Sequence, residues 1–464
     1  MKRLLTLALI SGGLVCAQTV TLGSALQPID GFGASVAFTR FTFSTAQINF
    51  YFGTVANGGL GLSLMRLDMY PDLASCIEDN TSLINCVNVS SGATTTVWEL
   101  NNALAAQALN TGVRFWAASW SPPGAMKSNG DYETGGGMVS GSGNANYTAL
   151  AAAYAAFPTL ITGTYGIPLI ALSYQNEPDQ DQPYPSCTWT TTQIHDFVPY
   201  FHAALIAAGY PNIKIITPEA SGWELTYAAP IMNDITTAGE TAIVAAHAYN
   251  GSYTALTLGL LANVTTQHLW QSEVMTYNDT YDGTTANGLG WAQQIYLWML
   301  GSGVSAWEYW LLNGQGVYND NEALSSVTGV APYPKRAYVL GSLSGFVRPG
   351  WSEHSVTNQN AGGLDILAFT NGSTGLVFWV VNNQSSAVSN QSFNVGGFPA
   401  TAMTPYIVDA TRNIAAQTPV AVSGGAFSYT IPADSAVTLV FLAPNSTGST
   451  LNGGLTLSGR VQIN

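Results

Sequence analysis

Eight short apolar runs, separated by loops and Ala-rich helical stretches, constrain this chain more than any other feature. The runs are Ile29–Phe32, Gly61–Leu67, Val113–Ala118, Leu169–Tyr174, Ile213–Thr217, Ala242–Ala246, Gln267–Trp270 and Val304–Trp307. Strands that read as near-continuously apolar are those buried on both faces, as in parallel sheets. Between them lie helix-like segments such as Val97–Asn110, Tyr147–Tyr165, Thr191–Ala208 and Trp291–Gly301. Eight strand–helix units in succession predict an α/β chain, a (β/α)₈ barrel.

From about Arg348 the rhythm changes. Leu364–Thr370, Gly375–Val381, Ser392–Val395, Pro405–Ile407, Ala426–Ile431 and Ala436–Leu442 read as short strands joined by Gly, Asn and Ser turns. This pattern predicts an attached antiparallel β-sandwich side domain. Five segments follow: a leader (1–17), an N-terminal strand joining the side domain (18–28), the barrel (29–346), the sandwich (347–444) and a Ser/Thr/Gly-rich tail (445–464). Val20–Leu22 is the core of that N-terminal strand.

The leader has a charged start, Lys2 and Arg3, an apolar run from Leu4 to Val15, and small residues in Val15-Cys16-Ala17. It reads as a secretory signal, so the expected location is extracellular. Export permits disulfides. Cys76 and Cys86, ten residues apart, are expected to pair, which leaves Cys187 as the odd one out.

Only 8% of the residues are charged, yet 47% are hydrophobic, enough to bury a sizeable core. The 12 Lys+Arg stand against 26 Asp+Glu, a formal charge of −14. Such a surface repels phosphate backbones, so neither nucleic acid nor an anionic membrane is an expected partner. A neutral polysaccharide suits this balance, and a monomer is expected. His195, His202, His247, His268 and His354 show no metal-binding spacing, and neither a nucleophile elbow nor a nucleotide fingerprint is present. No cofactor and no metal are implied.

Functional residues of such barrels collect at the C-terminal ends of the strands. The fourth run ends in Asn176-Glu177 and the seventh in Ser272-Glu273. One acid at a strand end is commonplace; two across the mouth are more informative. Two carboxylates suit glycosidic bond cleavage, one donating a proton to the leaving oxygen and the other attacking the anomeric carbon. Asn176 is placed to bond a sugar hydroxyl, and His247 and Tyr249 to orient or polarise Glu273. Arg66 is placed to keep the nucleophile ionised. Trp120, Trp307 and Tyr309 also fall at strand ends, where sugar faces stack.

Several segments resemble glycoside hydrolase family 30. They are Asp30-Gly31-Phe32-Gly33, Ser119–Lys127 (SWSPPGAMK), Ser173–Asp179 (SYQNEPD), Leu269–Glu273 (LWQSE), Lys335–Tyr338 (KRAY) and Phe346–Trp351 (FVRPGW). The resemblance implies a retaining mechanism, with Glu177 as acid/base and Glu273 as nucleophile, and a β domain tightly attached to the barrel. The pattern is most similar to the xylanase branch, which implies cleavage of β-1,4-xylosidic bonds. A β-1,6-glucanase or β-1,6-galactanase on the same scaffold is the alternative, and a non-catalytic carbohydrate-binding protein a remoter one. Glucuronoxylan-specific members carry an arginine just after the eighth strand. Here Trp307–Tyr318 holds no Arg or Lys, so no strict need for a glucuronate branch is expected.

Overall fold

The first and last of the eight runs lie side by side. Gly31–Ser35 pairs in parallel with Ala306–Asn313, and this closes a ring of eight parallel strands. Between these two come Leu64–Asp68, Arg114–Ala118, Leu169–Ser173, Lys214–Gly222, Ile243–Asn250 and His268–Glu273, each beside its sequence neighbour. A short strand, Ala323–Ser325, adds in parallel to the eighth. The computed structural model describes residues 18–39, 41–69, 98–223, 225–250, 266–276, 281–314, 322–325 and 333–442. Cys76 and Cys86, the leader and the tail lie outside the described residues.

The fifth, sixth and eighth strands run well past the apolar stretches that mark them. Their polar extensions carry Glu219, His247, Tyr249 and Glu308 toward the mouth. Gly33 is required by close approach: a Cβ there would sit 2.3 Å from the Leu64 carbonyl oxygen. Small residues (Ala118, Ala171, Ala245, Ala306) leave room in the lumen for Trp116 and Trp270, which meet edge to face at 5.8 Å. The barrel is therefore filled, as packed cores of this kind are.

The helices include Trp98–Leu109, Ala145–Pro158, Thr191–Ala207 and Thr285–Ser302. The last begins six residues before the expected Trp291. Its first turns contain Asn287, Gly288 and Gly290, poor helix formers that mask the start. The Thr284 side chain, accepting from the Asn287 N–H, caps it. No described helix is long and apolar enough to cross a membrane.

The side domain is a curled, mostly antiparallel sheet. Its order is Ala415–Ala416, Ala402–Val408, Ser435–Leu442, Gly375–Asn382, Asp365–Thr370, Ser352–Val356, Val20–Pro28, Val388–Asn394 and Ala426–Ile431. Val20–Pro28 pairs antiparallel with Ser352–Val356 and in parallel with Val388–Asn394. Ser352–Val356 (SEHSV) has too little apolar content to be recognised as a strand from the sequence.

Gly375–Asn382 is buried on both faces. Leu376, Phe378 and Val380 point into the side domain's own core with Phe393, Phe427 and Phe441. Val377, Trp379 and Val381 point the other way and join the apolar layer that surrounds the barrel. Trp379 Nε1 donates to Ser342 Oγ on the barrel helix Lys335–Ser344 at 2.9 Å, and Thr438 Oγ1 to the Ser342 carbonyl at 2.6 Å. The two domains thus share one continuous core.

Trp379→Ala is expected to cost about 3–5 kcal/mol, the range for emptying a buried aromatic site. Urea unfolding of the variant reads this directly. A loss below about 1 kcal/mol would show that the shared layer adds little to stability.

Candidate active site

The site is built outward from one guanidinium. Arg66, on the second barrel strand, is fully buried, and its Cζ lies 4.4, 5.0 and 5.7 Å from the ring centroids of Trp120, Trp116 and Trp310. Cationic guanidinium over indole faces is a favourable stack. Arg66 Nη1 bonds Glu273 Oε2, while Nη2 reaches Asn176 Oδ1 at 2.5 Å and Glu219 Oε1 at 2.7 Å. One side chain so ties together the ends of the fourth, fifth and seventh strands.

His247 completes the frame from the sixth strand. It is fully buried, with Nδ1 3.0 Å from Glu177 Oε1 and 3.6 Å from Glu273 Oε1, and Nε2 3.6 Å from Glu219 Oε1. Surrounded by carboxylates, its ring is pushed up to about 10 despite the burial that opposes charging, Glu273 being the strongest of the groups that raise it. It is therefore an imidazolium at neutral pH. The Tyr249 hydroxyl donates to Glu273 Oε1 at 2.8 Å.

The backbone aims the acids. Asn176 N–H donates to the Ser119 carbonyl at 2.7 Å and Glu177 N–H to the Glu219 carbonyl at 3.0 Å. Glu177 and Glu219 both adopt left-handed conformations, φ 44° and 55°. Such conformations are costly for non-glycine residues and cluster at functional sites. Lys127 Nζ, donating to Ser121 Oγ at 3.0 Å, the Thr134 carbonyl at 2.7 Å and the Tyr132 carbonyl at 3.3 Å, locks the loop after the third strand.

Carboxylate oxygens of Glu177 and Glu273 and a His247 ring nitrogen all lie within 4.8 Å of one another. A charged imidazole cannot ligate a metal, and Arg66 already neutralises Glu273, so this donor set suits proton transfer rather than a cation. Burial raises the Glu273 carboxyl above its ordinary value, while His247, Arg66 and the Tyr249 hydroxyl pull against that rise. Glu177 and Glu273 are only 7% and 6% exposed, so substrate meets their tips.

Arg66 and His247 are wholly buried and reach the carboxylates, with no face open to substrate. The expected aromatic stacking faces are revised. Trp120, 2% exposed, packs on Arg66 and edge-on to Phe38 at 5.0 Å, and offers no open stacking face. Trp307 and Tyr309 point out of the barrel against Trp291 of the helix Thr285–Ser302, at 6.1 and 5.0 Å. Alternation along the strand explains this: neighbouring residues face opposite sides. Glu308 and Trp310 occupy the inward positions. Along with Glu219 and Trp116, they belong to the site but are not among the sequence candidates. Alternation counted from Ala306 is the signal that identifies Glu308 and Trp310. Cys187 is a free, buried thiol, pushed up to about 12 by its apolar surroundings.

Glu308 accepts from Trp116 Nε1 at 2.7 Å beneath Arg66, and burial lifts its carboxyl to about 8. In the unfolded chain it ionises near its ordinary value of 4.5. Across that interval the unfolded state binds fewer protons, so this group's contribution to stability declines from pH 4.5 to about 8. Glu308→Gln removes the titration. The variant should gain on the parent steadily over that range, then hold a constant difference. Urea midpoints from pH 4 to 9 test this, and a pH-independent difference would refute it.

The model of the glycosyl hydrolase family 30 TIM-barrel domain matches residues 34–286, more than half of the chain. The chain is 26% identical over 433 residues to glucuronoxylanase XynC of Bacillus subtilis (strain 168), covering 91% of each. Among solved structures it resembles the subfamily 8 xylanase Xyn30A of Clostridium acetobutylicum, with a TM-score of 0.75 and 28% identity over 92% of this chain and 100% of that one. It also resembles a family 30 endoxylanase of Clostridium papyrosolvens C71, with a TM-score of 0.71, 28% identity and the same coverage. A closed barrel with a curled β side domain, two facing carboxylates at its mouth and this match together place the chain in glycoside hydrolase family 30, as a glycosidase most similar to its xylanase branch.

Proposed function

We propose that the protein is a secreted, monomeric, retaining glycoside hydrolase that cleaves β-1,4-xylosidic bonds in xylan. The observation that carries the mechanism is the short span between the two acids, with carboxylate oxygens of Glu177 and Glu273 within 4.8 Å. A separation of about 5–5.5 Å marks retention, whereas inversion needs about 6.5–9.5 Å to admit a water. Glu273 attacks the anomeric carbon as the glycosidic C–O bond breaks, and Glu177 gives its proton to the leaving oxygen. Glu177 then takes a proton from water, whose oxygen displaces Glu273 and releases the sugar with its original configuration.

Xylan is favoured because the relatives named as xylanases align over nearly the whole chain. The lack of any Arg or Lys in Trp307–Tyr318 supports activity without a strict need for a glucuronate branch. The charged start and apolar run of the leader support export.

The test offers the mature protein glucuronoxylan, arabinoxylan, β-1,6-glucan and β-1,6-galactan, with products resolved by size. Xylo-oligosaccharides are expected from both xylans. Glu177→Gln and Glu273→Gln should each lower turnover by at least about 10²–10⁴-fold. Products from a β-1,6-linked polymer alone would keep the mechanism and overturn the substrate. Strict dependence on glucuronoxylan would overturn the branch independence. No product from any polymer would favour a binding protein.

A raised Glu273 carboxyl also sets the acid limb of the pH profile. That limb of kcat/KM is expected above pH 4.5, and Tyr249→Phe, which removes a donor to the ionised form, should move it higher. An unmoved limb would show that another group controls it.

A further inference from the structure

Among the described residues, Arg66 pairs with Glu219 and Glu273, and Arg412 with Asp409. Arg114 and Arg348 form no such pair among these residues, although this chain has more than twice as many acids as cations. Both line one cavity of about 330 Å³, with Thr111, Gly112, Pro168 and Pro349 among its walls. Arg114 opens the third barrel strand, so the cavity lies at the N-terminal face, opposite the mouth.

Arg348 is 5% exposed. Its Nη1 donates to the Gly61 and Ser344 carbonyls, which bear no net charge. Its Nε has no hydrogen-bond partner. Burial and the positive charge of Arg114 push the Arg348 guanidinium down to about 10, the direction expected for a buried cation lacking a counter-charge. An unpaired buried donor and two like charges converging on one cavity are both costly. An oxyanion between the two arginines would relieve the second cost, since guanidinium forks match phosphate and carboxylate oxygens.

We propose that the cavity between Arg114 and Arg348 is an oxyanion-binding site at the foot of the barrel. The cavity, about 330 Å³, has room for a small hydrated acid. Inorganic phosphate and the carboxylate of an acidic monosaccharide such as glucuronate share the necessary chemistry. The site is independent of the hydrolytic reading, because it shares no residue with the mouth.

The experiment is calorimetric titration and thermal unfolding of the mature protein with inorganic phosphate and, separately, glucuronate. Sodium chloride at matched ionic strength and neutral xylose serve as controls. Saturable binding of an oxyanion is expected, with a Tm rise of a few degrees that chloride and xylose do not produce. Whichever of the two anions saturates identifies the ligand source. Arg114→Gln should abolish the response while keeping the parent's fold and its hydrolytic rate within about twofold. The same titration in Arg348→Gln should be at least tenfold weaker. Absence of saturable binding by either anion, or an equal response in Arg114→Gln, would overturn the proposal.

Discussion

A single buried guanidinium, held among three tryptophans, organises the mouth of this barrel. A cation so deeply buried is tolerable only with excellent pairing. Arg66 has it, from Glu219 and Glu273 by charge and from Asn176 by a hydrogen bond. The indoles of Trp116, Trp120 and Trp310 limit its freedom and lower the local dielectric, which strengthens each of those contacts. The partners come from three strands far apart in sequence, so the position of each acid depends on closure of the whole ring. Preorganisation of this kind is what a pair of reacting carboxylates requires, since a misplacement of about 1 Å can cost a hundredfold in rate.

The electrostatic pattern follows from poverty of charge elsewhere. With only 8% charged residues, little distant charge competes with the cluster at the mouth. Glu177, Glu219 and Glu273 face Arg66 and the His247 imidazolium, while Glu308, lifted to about 8 by burial, is neutral over most of the physiological range. Acids drawn from one residue type thus occupy distinct environments: Glu219 and Glu273 against the guanidinium, Glu177 against the imidazolium, and Glu308 uncharged against the Trp116 indole. Division of labour between chemically identical groups arises from such differences of surroundings.

Much of this was legible in the sequence, for reasons that can be named. All eight barrel strands lie where apolar runs mark them, because strands buried on both faces leave an unbroken apolar signature. Glu177 and Glu273 stand out together because they end two runs that lie across the mouth from each other. Polar strand extensions are harder to see: Lys214–Gly222 continues past Thr217 through a proline, which hides Glu219. Trp307 and Tyr309 were one residue out of phase with the lumen, and alternation gave their places to Glu308 and Trp310. Ser352–Val356 gains its strand conformation from its neighbours, Val20–Pro28 and Asp365–Thr370, rather than from its own side chains.

The strand Gly375–Asn382, apolar on both sides, has a consequence for how such a protein can be rearranged. A module that can be shuffled between genes needs a boundary with a wettable surface on each side. Here the cut between barrel and β domain would strip Trp379 and its neighbours from the helix Lys335–Ser344 and leave two oily faces in water. The chain also crosses that boundary twice, since Val20–Pro28 belongs to the sheet of the C-terminal half. Recombination at a single point therefore yields fragments that are both incomplete. Chimeras within this architecture are constrained to exchange loops at the mouth while the two domains are inherited as one unit.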